Sequence, residues 1–310
     1  MQRKELILKS LLVVALYFGI TYLLSLNNYL FGRDSILFDN LKALPFILRD
    51  FFVTHLYNLI LIATCLAFFI FFKIFMNRHK SFANINDLLK LAGLFVLAKG
   101  LYDSLVFLSN MIQNIYLLDR PAMDFRPNSL SVFTILFELL FGFALFFIFR
   151  KDAFAQENDK DTFRYQLRIV AMYFALLSFL GIVNYFVSGL FLFNTSLGTQ
   201  LLSSDSITAS VVLVQRMPNV IHFIIGLIIL MVTKDIPRSV NPQKNYFALM
   251  VVALLLLVTV LPSAITTIQL FIWPNAGIDL ISTGISFILK FAVIFLLVFF
   301  AEKRLRAIKH

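Results

Sequence analysis

Eight apolar stretches divide the chain, each close to the ~20 residues that a helix needs to cross a bilayer. They run near 7–26, 52–72, 88–113, 131–149, 169–192, 208–232, 247–271 and 280–300. Within lipid no water satisfies backbone N–H and C=O groups, so spanning segments of this kind are restricted to helices. The chain therefore reads as an all-α, polytopic membrane protein with eight transmembrane helices. A soluble fold of 310 residues, 60% hydrophobic and only 14% charged, would expose too much apolar surface. The mean hydropathy of +0.88 points the same way. The first run has no small-residue cleavage site behind it and reads as a mature helix, not a signal peptide. Phe accounts for 37 residues, which we read as lipid-facing bulk.

The net charge of +10 invites comparison with nucleic-acid binders, but its distribution says otherwise. Nineteen Lys and Arg residues fall on one side of the stretches, and five (Arg33, Lys42, Arg49, Arg120 and Arg126) fall on the other. By the positive-inside rule the richer side is cytoplasmic, and it holds both termini. The basic excess is a topology signal, and no nucleic-acid partner is expected.

The chain also repeats itself. Ala15, Tyr17, Phe18, Leu24, Asn28 and Tyr29 recur at one offset as Ala171, Tyr173, Phe174, Leu180, Asn184 and Tyr185. Asn58, Leu66 and Lys73 echo as Asn219, Leu227 and Lys234, and Ile112-Gln113 echoes as Ile268-Gln269. Such self-similarity implies two copies of one unit, 1–155 and 156–310. Each copy holds four spans, an even number, so both enter the membrane from the same side. The expected architecture is two parallel four-helix repeats related by a pseudo-two-fold axis along the membrane normal. The outer loop at 27–51 alternates apolar and polar residues around Ile36, Leu37, Asp39, Lys42 and Leu44. It reads either as a helix lying on the outer leaflet or as an ordinary packed loop.

Helix boundaries carry chemical marks. Asn84 or Asn86 can N-cap the third span, with Asp87 favourable at its positive end. Pro218 in the sixth span and Pro262 in the seventh each remove a helical hydrogen bond and are expected to bend their helices.

Charged residues inside spans are the strongest functional signal, since each costs roughly 2.5–3.5 kcal/mol at the bilayer centre on insertion scales. Lys99, Asp103, Glu138, Arg216 and Lys290 are so placed. Lys99 and Asp103 stand i, i+4 and can neutralise each other. Counting the helical rise puts Lys99, Glu138 and Lys290 at one depth, with Asp103 a turn further out. Aligning the fourth span on the eighth sets Glu138 opposite Lys290. The four are expected to form a neutral cluster, and the cancellation of charge favours a structural pairing over a proton or ion relay. Arg216 can snorkel or pair with Asp205. Asn219 and His222 share a helix face and read as an interhelical hydrogen bond.

Soluble-enzyme chemistry finds no support. There is no Walker A loop, HExxH, GxSxG or paired-Cys zinc spacing. Cys65 is the only cysteine, which excludes a disulfide framework or thiolate cluster. His55, His79, His222 and His310 lie on separate segments. No metal and no cofactor is expected.

Two cytoplasmic segments carry a family pattern. After the second stretch comes Arg78-His79-Lys80-Ser81-Phe82-Ala83-Asn84, followed by Leu88, Leu89 and Gly93. After the fourth comes Phe149-Arg150-Lys151, then Gln156-Glu157-Asn158-Asp159. Over roughly residues 60–160 the chain resembles a widespread family of small bacterial four-helix integral membrane proteins of unknown function. That family carries a basic-x-Phe-x-x-Asn element before its third helix and a Phe-Arg…Glu-Asn-Asp element after its fourth. Here Lys151 replaces the usual Gly, and Lys160-Asp161 replaces the usual Leu-Thr. The second copy ends in Ala301-Glu302-Lys303-Arg304 where Glu-Asn-Asp would stand. The resemblance implies a fused pair of such units; it implies topology and no chemistry.

Glu157, Asn158 and Asp159 form an acceptor-rich patch flanked by Arg150, Lys151, Lys160 and Arg164. It reads as a dock for a basic cytoplasmic partner or as a solvated linker whose cations sit at lipid headgroups. The reading that follows is a non-enzymatic regulatory, sensory or scaffold component of a bacterial inner membrane, offering basic loops to a cytoplasmic or membrane protein partner. The alternative is a transporter or channel whose path uses Lys99, Asp103, Glu138 and Lys290 at the repeat interface.

Overall fold

The structure is a computed structural model, and it describes residues 2–25, 63, 67, 70, 85–112, 129–148, 159–191, 206–234, 242–272 and 277–306. Among these residues there are seven helices and no strand. They are α1 (Gln2–Ser25), α2 (Ile85–Ile112), α3 (Ser129–Ile148), α4 (Asp159–Phe191), α5 (Ser206–Val232), α6 (Pro242–Ile272) and α7 (Gly277–Arg306). Seven of the eight apolar stretches therefore lie in helices. The second lies almost wholly outside the described residues, with only Ala63, Ala67 and Ile70 seen, all helical. The loop at 27–51 lies outside them as well.

Among the described residues four helices are long and apolar enough to cross a membrane, over Arg3–Leu24, Asp87–Ile112, Thr162–Asn184 and Gln243–Val260. Thr134–Ile148 of α3 and Arg216–Val232 of α5 are apolar but shorter. The helix ends follow the chemistry of their residues. α2 begins at Ile85, which puts Asn86 inside the helix and Asp87 in the first turn, against the positive end of the dipole; Asn84 lies outside the described residues. α6 opens on Pro242, where a missing N–H removes no helical bond. Pro218 lies within α5, and α6 runs through Pro262 without ending.

The chain divides into two compact units. One comprises Leu11–Phe107 with Pro121–Asp159; the other comprises Met1–Ser10, Leu108–Arg120 and Lys160–His310. In the first unit, Leu12, Val13 and Tyr17 of α1 are buried, as are Leu91, Ala92, Phe95 and Val96 of α2. The rings of Tyr17 and Phe95 meet at 5.5 Å. α2 and α3 run antiparallel at backbone contact. A Cβ on Gly142 would stand 2.7 Å from the Leu97 nitrogen and 2.9 Å from the Gly93 carbonyl oxygen, so only glycine fits there. Gly100 repeats the close approach further along, facing Glu138 and Leu139.

In the second unit, α4 buries Ile169, Ala171, Tyr173, Phe174 and Ala175. Gly226 of α5 sits against it, 2.7 Å from the Ala175 Cβ to where its own would be. Tyr246 and Met250 of α6 and Ala301 of α7 form a core with Leu6 and Ile7 of α1. Arg3 closes that end with an ion pair to Glu302 at 2.5 Å, and the Tyr246 hydroxyl donates to the same carboxylate at 3.2 Å.

Polar residues in these apolar helices bond locally. Ser10 donates to the Leu6 carbonyl, Ser104 to Gly100 and Thr259 to Leu256, which removes the cost of burying a bare hydroxyl. On α3 and α7 the reverse holds for large apolar side chains: Leu140, Phe143, Phe295 and Phe299 stand outward. Outward-facing Phe suits hydrocarbon better than water.

Candidate functional site

The backbone contact between α2 and α3 creates the most distinctive polar feature among the described residues. Glycine at 93, 100 and 142 lets the two helices approach to backbone contact. Lys99, next to Gly100, extends its ammonium to Glu138 of α3, with Nζ 2.5 Å from Oε1. The same Nζ lies 2.6 Å from Oδ2 of Asp103, one turn along α2. Lys99 thus donates to two carboxylates, one on each helix. The expected i, i+4 pairing is present, and Glu138 joins it.

Enclosure is uneven across the triad. The Glu138 side chain is 1% exposed, whereas those of Lys99 and Asp103 are 30% and 31% exposed. Glu138 uses only one of its two oxygens: Oε2 is buried and makes no hydrogen bond among the described residues. With all three groups ionised the triad carries one net negative charge. Glu138 stands near the middle of the twenty-residue α3, roughly 15 Å from its C-terminal end. Lys290, the fourth expected member, lies on α7 in the other unit.

A second polar group lies between α4 and α5. His222 is buried with its ring edge-on to Phe174, the centroids 5.1 Å apart. Asn219 lies beside Gly181, its amide nitrogen 3.5 Å from where a Cβ would be. Arg216 is half-buried one turn before it; Asp205, its suggested partner, lies outside the described residues. Both residues face α4, Asn219 at Gly181 and His222 at the Phe174 ring.

Glu157 and Asn158 lie outside the described residues, and Asp159 opens α4. Beyond the start of α4, Arg164 and Arg168 reach the end of α5. Arg168 Nη1 donates to the Thr233 carbonyl at 2.6 Å and Arg164 Nη2 to Val232 at 3.3 Å, covering acceptors that the helix itself leaves open. The Tyr165 hydroxyl donates to the Lys244 carbonyl near the start of α6.

Two features escape sequence reasoning. Ser109 of α2 donates to the Val214 carbonyl of α5. Lys90, one of the nineteen cations on the basic side, is buried on α2 with Asp87 3.8 Å away. The i, i+3 spacing of the pair was a usable signal; for Ser109 there was none.

No group of three or more His, Cys, Asp or Glu placed to hold a metal occurs among the described residues. No protein-family model matches the chain, and neither a curated protein nor a solved structure does.

Proposed function

We propose that this chain is an eight-pass integral protein of a bacterial inner membrane, built as two parallel four-helix repeats over 1–155 and 156–310 with both termini in the cytoplasm. The seven observed helices, the internal identities and the one-sided distribution of Lys and Arg support this topology. The likeness to small bacterial four-helix membrane proteins is part of the same proposal, with the chain as a fused pair. Its role is non-enzymatic: a regulatory, sensory or scaffold component that presents basic cytoplasmic loops to a protein partner.

The observation that carries this reading is the use made of the membrane-level charges. Lys99, Asp103 and Glu138 bond to one another across two helices in backbone contact, the arrangement expected of a tie between helices. A transport reading is favoured by a different observation, the buried Glu138 oxygen without a hydrogen bond. Cysteine accessibility decides between them. In a Cys65→Ala background, Lys99→Cys, Asp103→Cys, Glu138→Cys and Lys290→Cys are labelled from each side with a small membrane-impermeant thiol reagent. Protection at all four in inserted protein is the result expected of a dry tie. Labelling at positions 138 or 290 would mean a hydrated path, and transport would replace the scaffold.

A further inference from the structure

We propose that Glu138 is an exchangeable proton site, at which the Lys99–Asp103–Glu138 triad takes up one proton on Oε2 and returns it to water. Three independent observations meet at this atom. Lys99 occupies one oxygen of each carboxylate, with two of its three N–H donors. The triad then holds two carboxylates against one ammonium, one negative charge in excess. The remaining oxygen of the more enclosed carboxylate, on a side chain 1% exposed, has no donor among the described residues.

A buried charge without compensation is disfavoured, and a buried acceptor without a donor is disfavoured as well. One proton on Oε2 removes the excess charge. The reaction balances simply: an O–H bond forms between a proton from water and Oε2, and no electrons change hands. On release the proton returns to water and the carboxylate is restored. Lys99 keeps Oε1 of Glu138 and Oδ2 of Asp103 in either state, so the tie between α2 and α3 survives the exchange.

The groups around Glu138 favour this atom over its neighbours. α2 contributes Lys99 and Asp103, and Asp103 is the less enclosed carboxylate at 31% exposure. α3 carries no other charged residue. From α1 the same unit brings no charge, only the phenols of Tyr17 and Tyr22. The Asp87–Lys90 pair stands at the N-terminal end of α2. A metal cation fits poorly, because hard cations demand six or more oxygen ligands and Lys99 already holds one oxygen of each carboxylate.

The inference rests on the sensory reading in one respect: protons must reach the triad along one edge, without the water-filled path that a thiol reagent needs. The partial exposure of Lys99 and Asp103 leaves that edge open. The test is infrared difference spectroscopy of the full chain in lipid nanodiscs, between acid and alkaline pH. The expected result is a protonated-carboxyl C=O band that grows on acidification, is lost in Glu138→Gln and persists in Asp103→Asn only at lower pH, because the excess negative charge is then gone. The unsubstituted protein showing no titrating carboxyl band would overturn the proposal without any variant needing to fold. So would a band lost in Asp103→Asn and kept in Glu138→Gln, or one displaced when sodium replaces potassium at constant pH. Proton flux in proteoliposomes is scored separately: a titrating Glu138 band without flux upholds the proton site and removes transport alone.

Discussion

The Ser109 hydroxyl on α2 donates to the Val214 carbonyl on α5, and Val214 stands four residues before Pro218. In an α-helix that carbonyl would accept the N–H of residue 218, which proline does not have. A serine from another helix supplies the missing donor, so α5 passes through Pro218 with its freed acceptor satisfied. The two residues form one device spread over two helices.

The device makes a double-mutant prediction. Ser109→Ala leaves a buried carbonyl bare and is expected to cost about 1 kcal/mol. Pro218→Ala restores the N–H at 218, so the same Ser109→Ala change in that background should cost much less. Unfolding measurements in detergent or bicelles on the four proteins give the coupling directly. Equal losses in both backgrounds would mean that the hydroxyl does not serve this carbonyl.

At the α2–α3 crossing the expected effect is steric. Gly142→Ala places a methyl 2.7 Å from the Leu97 nitrogen and 2.9 Å from the Gly93 carbonyl, both backbone atoms that cannot rotate away. The helices must separate, at a cost of about 1–3 kcal/mol typical of overpacking. Gly284→Ala on α7 meets nothing within 4 Å and is expected to be neutral or mildly stabilising. Thermal unfolding of the two alanine variants should therefore move in opposite directions or in one direction only for Gly142.

The same crossing positions Lys99, and truncating Lys99 tests what it holds. Lys99→Met leaves Glu138 buried without its donor, and breaking a buried pair from one side costs about 3–5 kcal/mol. Adding Glu138→Gln to Lys99→Met should recover the part of that loss that comes from the more enclosed carboxylate, leaving only the half-exposed Asp103 without its cation. If the double variant were as unstable as the single, the damage would be one of packing and not of charge.

Much of this was legible in the chain before any coordinates. A span-length apolar run has only helical ways to satisfy its backbone, so the class and seven observed helices followed from hydropathy. Lys99 and Asp103 share a helix, and their four-residue spacing is fixed by helical geometry. Glu138 was placed with them from depth, which the helical rise supplies. Depth says nothing of which helices are neighbours: the same count from the sequence groups Lys290 with them, and Lys290 belongs to the other unit. What sets the neighbours of α2 is the contact of Gly93 with Gly142, and single glycines in apolar helices do not name their partners. Ser109 shows the same limit. Pro218 announces that a carbonyl lacks a donor, but any hydroxyl on any adjacent helix can fill the need.

Arg168 offers a last test, at a helix end. The final carbonyls of a helix lack intrahelical donors and carry the negative end of its dipole, so a guanidinium there bonds and neutralises at once. Arg168 reaches the Thr233 carbonyl at 2.6 Å, while the Thr233 side chain turns back to Ile229 at 2.7 Å and its N–H bonds the same carbonyl at 3.0 Å. The end of α5 is thus closed from outside by α4 and from within by Thr233. Arg168→Ala is expected to cost about 1–2 kcal/mol and to speed amide exchange over the last turn of α5. Arg168→Lys keeps the charge but loses the planar donor array, so it should recover part of the stability and less of the exchange protection. Exchange rates at Thr233 and Lys234 that do not differ among the three proteins would show that α5 closes its own end and that Arg168 serves another contact.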